Sequence, residues 1–320
     1  MNYVYDIECM SNFFSVCFLS DDETIRKEFV IHKSRNDFRS LMEFLITCYT
    51  NKDTFIGFNN IAYDNNLINH LLLNFKKFVK DKLTADEMAR LLYAQGQIII
   101  NSRPYSQIHI RQIDLFAQKN YTNPSKRTSL KWLQYSIQYD NIQEMPVHHT
   151  KDIEAGEVPD VLEYNWNDVE STLAFYKLNK FETSLRETIS EQFELDLLNA
   201  SEPKLAKKIF AKYICEEMNI SPERLNTLRT FRSVINVKDI IFHYIKYDDP
   251  VFNDILENFE KLQITKTKDA FKYKFLWNNV DITIAQGGIH GCNRPGLYKA
   301  DDEYMILDID VKSFYPNLAI

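Results

Sequence analysis

Apolar and polar residues alternate near the start of the chain, which predicts a meander of β-strands. Alternation with a period of two is typical of strands that bury one face. The polar run Ser20-Asp21-Asp22 interrupts the pattern and indicates a turn. The three predicted strands are residues 3–9, 13–19 and 26–31.

Helical spacing of apolar residues follows the predicted meander. Thr84 with Glu87 three residues later forms a capping box, which indicates a helix N-terminus. Strands followed by alternating helices and strands predict an α/β (α+β) fold in which helices flank a mixed sheet. Helices are predicted at 37–49, from Asp64 onward, at 81–94, at 130–137 and from Pro159 onward, and strands at 54–57, 97–101 and 107–113.

Two carboxylates, Asp6 and Glu8, lie on the first predicted strand. Side chains two residues apart on a strand project from the same face, so both point to one spot. Close anions repel each other unless a cation lies between them, and hard divalent ions such as Mg²⁺ prefer carboxylate oxygen. The pair alone is weak evidence, because it is more often part of an ordinary strand, so a metal site requires further ligands.

Further acidic residues stand on predicted helices. Asp64 precedes an apolar run of helical spacing, so it lies near a helix N-terminus, where a carboxylate is favourable as a cap. Tyr164 and Asp168 are four residues apart on another predicted helix and share a face. Taken singly, each position is compatible with an ordinary helix as well as with a ligand.

The order and spacing of these residues resemble the exonuclease signature of B-family DNA polymerases, in particular the phage and protein-primed branch. The tyrosine of the last motif is similar to that of the DEDDy group within the DEDD nucleases. The resemblance implies a ribonuclease-H-like 3′→5′ exonuclease domain over residues 1–180. The matching segments are D-x-E at 6–8, N-x-x-Y-D at 60–64 and Y-x-x-x-D at 164–168.

The resemblance also implies site residues and cofactors. Two divalent ions, Mg²⁺ or Mn²⁺, would bind the scissile phosphate, one held mainly by Asp6 and Asp168 and the other by Asp6, Glu8 and Asp64. Tyr164 would orient the attacking water.

Contacts with the DNA substrate are implied as well. Asn60 and Tyr63 match positions that bind the 3′-terminal nucleotides of a DNA strand. Cys9 departs from the threonine usual in protein-primed relatives, and a thiol is a weaker hydrogen-bonding group.

A second motif lies near the C-terminus. Residues 305–311 are predicted to form a strand, and the following D-x-x-S-h-Y-P resembles the first palm motif of B-family polymerases. The match implies a polymerase metal ligand at Asp310 rather than Asp308, and a nucleotide contact at Tyr315. Gly287 and Gly288 resemble a DNA-binding loop between modules, although Ala285 replaces its aromatic residue, and a turn is the alternative for this pair.

The domain organisation inferred from these motifs is exonuclease, helical connector and the start of a palm, at residues 1–180, 181–280 and 281–320. No second palm aspartate or fingers lysine follows the first palm motif. We therefore expect no polymerisation without a second polypeptide that carries the remaining palm and fingers. One alternative is a DNA-binding and assembly subunit of a split polymerase; another is an RNA-trimming nuclease, which the palm motif disfavours.

Composition narrows these possibilities only slightly. With 45% hydrophobic and 26% charged residues among 320, the chain is typical of globular proteins. A net charge of −7 is compatible with the DNA contact that the resemblance implies only if the DNA lies in a local groove, and it implies modest affinity. No apolar run approaches the ~20 residues of a membrane helix, and the five cysteines lack C-x-x-C spacing, so we expect a cytoplasmic protein with free thiols and no membrane contact.

Overall fold

The chain forms two compact units, Met1–Leu225 and Asn226–Ile320. A computed structural model describes residues 1–101, 109–228, 230–266, 268, 270–314 and 317. None of the helices among these residues has the length and apolar composition needed to cross a membrane.

Six strands of the first unit form one mixed sheet. They are β1 (Asn2–Met10), β2 (Phe13–Ser20), β3 (Arg26–His32), β4 (Arg35–Asn36), β5 (Thr54–Gly57) and β6 (Arg111–Asp114). Their order across the sheet is β4-β3-β2-β1-β5-β6. The strands β1 to β4 pair antiparallel, whereas β5 is parallel to β1 and β6 is parallel to β5. The predicted meander is therefore confirmed.

Helices cover both faces of this sheet. The helices in this part of the chain are α1 (Phe38–Asn51), α2 (Asp64–Lys80), α3 (Ala85–Asn101), α4 (Leu115–Gln118), α5 (Leu130–Ser136), α6 (Val158–Leu178), α7 (Lys180–Phe193), α8 (Glu202–Met218) and α9 (Pro222–Thr227). Helices α1, α2 and α3 share one hydrophobic core with the sheet, and α5 and α6 share a second. This arrangement confirms the α/β fold class and is compatible with a ribonuclease-H-like fold.

The two faces of β1 belong to these two different cores. Tyr5 and Ile7 pack in the core formed with α1 to α3. Val4 packs in the core formed with α5 and α6. Because side chains alternate along a strand, Asp6 and Glu8 lie on the same side of β1 as Val4, which faces α6.

The predicted strand at 97–101 is wrong, because these residues form the end of α3. Gly96 and Ile99 are buried, whereas Ile98 and Ile100 are 57% and 64% exposed. This is the burial of a helix that presents one face to the core, and tertiary packing overrides the β-propensity of the isoleucines.

Local signals at other helix termini are confirmed. The backbone N–H of Thr84 donates to Glu87 Oε2 at 2.8 Å, and the N–H of Glu87 donates to Thr84 Oγ1 at 3.3 Å. Helix α3 therefore begins at the predicted capping box, and Pro159 lies in the first turn of α6. Of the strand predicted at 107–113, the structure describes β6 only from Arg111, and residues 107–108 lie outside the described part.

The second unit, in its described residues, forms two small antiparallel sheets and an amphipathic helix. Its elements are β7 (Ile235–Asn236), a 3₁₀ turn (Val237–Asp239), α10 (Pro250–Glu260), β8 (Gln263–Ile264), β9 (Lys272–Trp277), β10 (Val280–Ala285) and β11 (Gly288–Cys292). The strands β9, β10 and β11 pair in sequence, and β7 pairs with β8. Residues 181–280, predicted as a helical connector, therefore also contain the strands β7, β8 and β9.

The strand predicted at 305–311 is also wrong. These residues form no strand, and all of them are exposed. An extended segment gains ladder hydrogen bonds only when another strand lies beside it. No such neighbour pairs with 305–311 among the described residues.

Candidate metal centre

The strand β1 presents Asp6 and Glu8 at a point where the sheet opens. β5 pairs with β1 only from Asn2 to Val4, and it ends at Gly57. After Gly57 the chain leaves the sheet, and it comes back beside β1 at the start of α2. The edge of β1 beyond Val4 is therefore free to receive side chains from neighbouring elements.

Asp64 fills part of this opening. It is the first residue of α2, follows the N-cap position rather than occupying it, and is buried. Its carboxylate accepts a hydrogen bond from the backbone N–H of Ile7, which lies between the two β1 carboxylates. The structure therefore joins Asp64 directly to β1.

Helix α6 brings a further carboxylate to the same place. Asp168 is buried, and one oxygen each of Asp6, Glu8 and Asp168 lie within 4.8 Å of one another. Among the described residues, these three form the only such group of candidate metal ligands. The three carboxylates could hold a metal ion. Asp64 lies outside this group of three.

Burial and mutual repulsion raise the pKa values of these carboxyl groups. Burial is the largest cause of the raised pKa of Asp6, and the negative charge of Asp64 is the second. Burial also raises the pKa of Glu8, followed by the charge of Asp168. It raises the pKa of Asp168 to about 6 and that of Asp64 to about 8. Such a cluster favours either protons or a bound cation.

Tyr164 lies one helical turn before Asp168 and is buried with it. The two side chains are joined by a hydrogen bond that the tyrosine hydroxyl donates. Burial raises the pKa of Tyr164, with the charge of Asp168 as the next cause, so the phenol keeps its proton at neutral pH. The predicted pairing of these two residues on one helix face is confirmed.

Two side-chain amides hold the carboxylates in place, and the sequence analysis missed both. Asn165 Nδ2 donates to Asp6 Oδ2 at 3.0 Å. Gln134 Nε2 donates to Asp168 Oδ1 at 3.1 Å and to Ser171 Oγ at 2.8 Å. The nearest sequence signal is the adjacency of Asn165 to Tyr164. Gln134 has none, because a polar residue beside Leu133 on a short helix carries no distinctive spacing.

A third missed residue, Asp114, shapes the loop that leads to Asp64. Its Oδ1 accepts from the backbone N–H of Asn59 at 3.0 Å, and its Oδ2 accepts from that of Ile61 at 3.3 Å. Asp114 is buried at the end of β6 and also caps α4 through the N–H of Ala117. It therefore fixes the turn between β5 and α2.

The predicted DNA contacts Asn60 and Tyr63 lie in this same turn. Asn60 is only 1% exposed and donates to Gln112 Oε1 at 2.7 Å. Tyr63 is partly buried and hydrogen-bonds with Cys9, and burial raises the pKa of that thiol to about 12. A Cβ placed on Gly96 would lie 2.5 Å from the Tyr63 hydroxyl oxygen. Contact of these residues with DNA stays a prediction.

The remaining predicted site residues belong to the second unit. Gly287 lies in the tight turn between β10 and β11, and Gly288 begins β11 with a φ of 140°. The turn foreseen as the alternative for this pair is therefore present. Asp310 is exposed and accepts from the backbone N–H of Val311, and Tyr315 lies outside the described residues.

The fold and site define a mixed α/β protein whose central strand and a packed helix carry a carboxylate cluster able to hold a metal ion. No protein-family model matches the chain, and no curated protein matches it significantly.

Proposed function

We propose that the protein is a metal-dependent 3′→5′ DNA exonuclease related to the editing domains of B-family DNA polymerases. The observation that carries the proposal is the convergence of Asp168 with Asp6 and Glu8 within 4.8 Å. These residues come from a helix and a strand that are far apart in the chain. Their convergence concentrates negative charge in a buried place, which is unfavourable unless protons or a cation neutralise that charge.

The donor set suits the proposed metal. All the candidate ligands are carboxylates, with no thiolate or imidazole among them. Oxygen-only ligands are those that Mg²⁺ and Mn²⁺ bind, whereas zinc and copper favour nitrogen or sulfur. Asp64, joined to β1 at Ile7, would supply the further carboxylate for a pair of ions.

The chain's own residues then have defined roles. Bound divalent ions would lower the pKa of the attacking water and neutralise the scissile phosphate. Tyr164, held by its hydrogen bond to Asp168, would orient that water. The water loses a proton and its oxygen bonds to phosphorus, while the bond from phosphorus to the 3′ oxygen breaks and that oxygen takes up a proton from solvent. The products are a nucleoside 5′-monophosphate and a strand shortened by one nucleotide.

The direct test is degradation of a 5′-labelled single-stranded DNA oligonucleotide with Mg²⁺ or Mn²⁺, with EDTA as the metal-free control. We expect a ladder that shortens from the 3′ end and disappears with EDTA. The Asp64→Ala variant should lose this activity, whereas Asp81→Ala, an exposed acidic residue at the other end of α2, should keep it. An RNA oligonucleotide of the same sequence tests the alternative of RNA trimming.

The proposal fails if the wild-type protein leaves the DNA oligonucleotide intact with both ions. It also fails if Asp64→Ala retains the wild-type rate. Faster trimming of RNA than of DNA would replace the substrate assignment.

A second candidate function is favoured by a separate observation. Ile306 and Ile309 are 64% and 80% exposed in the segment before Asp310. Exposed apolar residues in succession are typical of surfaces that another chain covers. The protein would then be an assembly subunit that contributes Asp310 and Tyr315 to a split polymerase. Co-expression with a chain carrying the remaining palm and fingers, followed by size exclusion and primer extension, tests this function; no complex and no extension would exclude it.

A further inference from the structure

Helix α5 carries two large aromatic side chains that belong to neither hydrophobic core of the sheet. Trp132 and Tyr135 are 62% and 66% exposed, and their rings stack with centroids 5.5 Å apart and an angle of 26° between the planes. The other side of α5 is anchored, because Leu133 and Gln134 are buried. A fixed helix therefore presents a pair of rings to solvent.

The same helix borders the candidate metal centre. Gln134 donates a hydrogen bond to Asp168, and the Nζ atom of Lys131 lies 5.9 Å from the centre of the Tyr164 ring. Lys131 and Tyr135 are four residues apart and share a face of the helix. Tyr135 therefore lies about one helical turn, or ~5.4 Å along the helix, from the lysine beside the carboxylates. Trp132 follows that lysine directly in the chain.

Lys131 is available to a negatively charged ligand. Its ammonium group pairs with Glu144, whose side chain is 88% exposed. An ion pair with so exposed a partner contributes little and is readily exchanged. The ammonium group of Lys131 lies beside the ring of Tyr164, the residue that precedes Asp168 by one helical turn. A phosphate group at that place would meet Lys131.

Aromatic rings next to a lysine suit single-stranded nucleic acid in particular. Each unpaired base offers a flat π-face for stacking, and each linking phosphate offers a negative charge. A base pair within a duplex is already stacked on both sides and offers neither face. A surface of this kind therefore distinguishes a single strand from a duplex without reading its sequence.

We propose that Lys131, Trp132 and Tyr135, named here the α5 surface, bind the single strand whose 3′ end enters the candidate metal centre. Trp132 stacks on a base with Tyr135 supporting its ring, and Lys131 contacts a phosphate. The identity of the strand as DNA to be trimmed rests on the proposed function. The stacking itself depends only on the exposed rings.

Binding and cleavage are measured separately to test this surface. A 5′-fluorescein-labelled single-stranded oligonucleotide is titrated with protein by fluorescence anisotropy, with Ca²⁺ in place of Mg²⁺ and a gel to show that the strand stays intact. Trp132→Ala should raise the dissociation constant about tenfold, the loss expected when one stacked base is released. Trp132→Phe should restore most of the affinity, and duplex binding should not change.

The matched control is Phe181→Ala on α7, because Phe181 is 78% exposed and also lies in the first unit. Binding by Phe181→Ala should equal that of the wild type. Thermal melting should be unchanged in all variants, since the substituted rings are exposed.

The outcomes separate the two proposals. Wild-type affinity in Trp132→Ala overturns the α5 surface, and so does a wild-type protein that binds no single strand. Self-association that Trp132→Ala abolishes, without any effect on DNA binding, would identify a contact between protein chains and overturn the surface as well. Tight strand binding that needs Trp132, in a protein that cleaves nothing, would support the surface while the exonuclease proposal fails.

Discussion

Asp168 and Asp310 both belong to short motifs that the sequence marks as metal sites, yet their surroundings are opposite. Asp168 is buried in α6, hydrogen-bonded by Gln134 and close to two carboxylates on β1. Asp310 is exposed in a segment without a strand, and it is absent from the one group of candidate metal ligands in the described part of the chain.

A motif supplies donor atoms, whereas packing brings those atoms together at one site. In the first unit, α6 and β1 share a hydrophobic core through residues such as Val4 and Val169. Burying that apolar surface is the favourable process that brings the carboxylates together despite their repulsion. In the second unit, no packed neighbour of 305–311 performs this role among the described residues.

The largest expected effect comes from replacing one of the two aspartates at a time by asparagine. Asp168→Asn should reduce single-turnover cleavage of single-stranded DNA by roughly a thousandfold or more, because an amide removes a negative oxygen ligand. Asp310→Asn should cleave at the wild-type rate. Both are measured with saturating Mg²⁺. Equal losses of the cleavage rate in the two variants would contradict the difference between the two aspartates.

The amides that orient the carboxylates should have the next largest effect. Asn165→Ala or Gln134→Ala should raise the Mg²⁺ concentration needed for half-maximal cleavage by about 10- to 100-fold, since hydrogen bonds behind a ligand fix its direction. Asn167→Ala is the control, because Asn167 is buried on the same helix but bonds to neither carboxylate. A lower rate at saturating Mg²⁺, with an unchanged half-maximal concentration, would contradict this role.

The pH dependence of stability is a third test. Asp64 has a pKa of about 8 in the metal-free folded protein, against an ordinary value of 3.8. The folded state therefore holds a proton that the unfolded chain releases, and the free energy of unfolding falls as pH rises through this interval. Asp168, with a pKa of about 6, acts in the same direction.

Mg²⁺ should consequently raise the melting temperature more near pH 8 than near pH 5, where protons already neutralise the cluster. Differential scanning fluorimetry with and without Mg²⁺ measures this difference. Asp64→Asn should flatten the pH profile of the metal-free protein. A profile of the same slope in that variant would show that other groups titrate.

The smallest expected effect is on the free energy of unfolding, for which one glycine from each unit is replaced by alanine. The clash with Tyr63 should destabilise Gly96→Ala by about 1–3 kcal/mol. The higher helix propensity of alanine offsets ~1 kcal/mol of this loss. Gly287→Ala meets nothing within 4 Å and should change stability by less than about 0.5 kcal/mol. Urea unfolding measures both.

Tyr63→Phe tests the cause, since it removes the oxygen that lies 2.5 Å from the added methyl group. It should recover part of the stability lost in Gly96→Ala. If Tyr63→Phe recovers no stability in Gly96→Ala, the strain lies elsewhere in α3.

Elements with strong local signals were predictable. The meander, the capping box of α3 and the start of α6 at Pro159 each depend on residues close together in the chain. The errors at 97–101 and 305–311 share one cause. In both segments the run of β-branched and apolar residues suits a strand, but no strand lies beside either segment among the described residues. Residues 97–101 instead continue a helix, and 305–311 stay exposed.

The sequence alone indicated Asp6, Glu8 and Asp168 among its candidate metal ligands, and it indicated on which side of their elements they lie. Asp6 and Glu8 share a strand face, and Tyr164 and Asp168 share a helix face, because strands and helices have fixed periods. The tertiary structure alone decided that these faces meet, that Asp64 joins β1 at Ile7, and that Asn165 and Gln134 hold the carboxylates. Contacts between distant segments follow from how hydrophobic faces pack, and no local pattern carries that information.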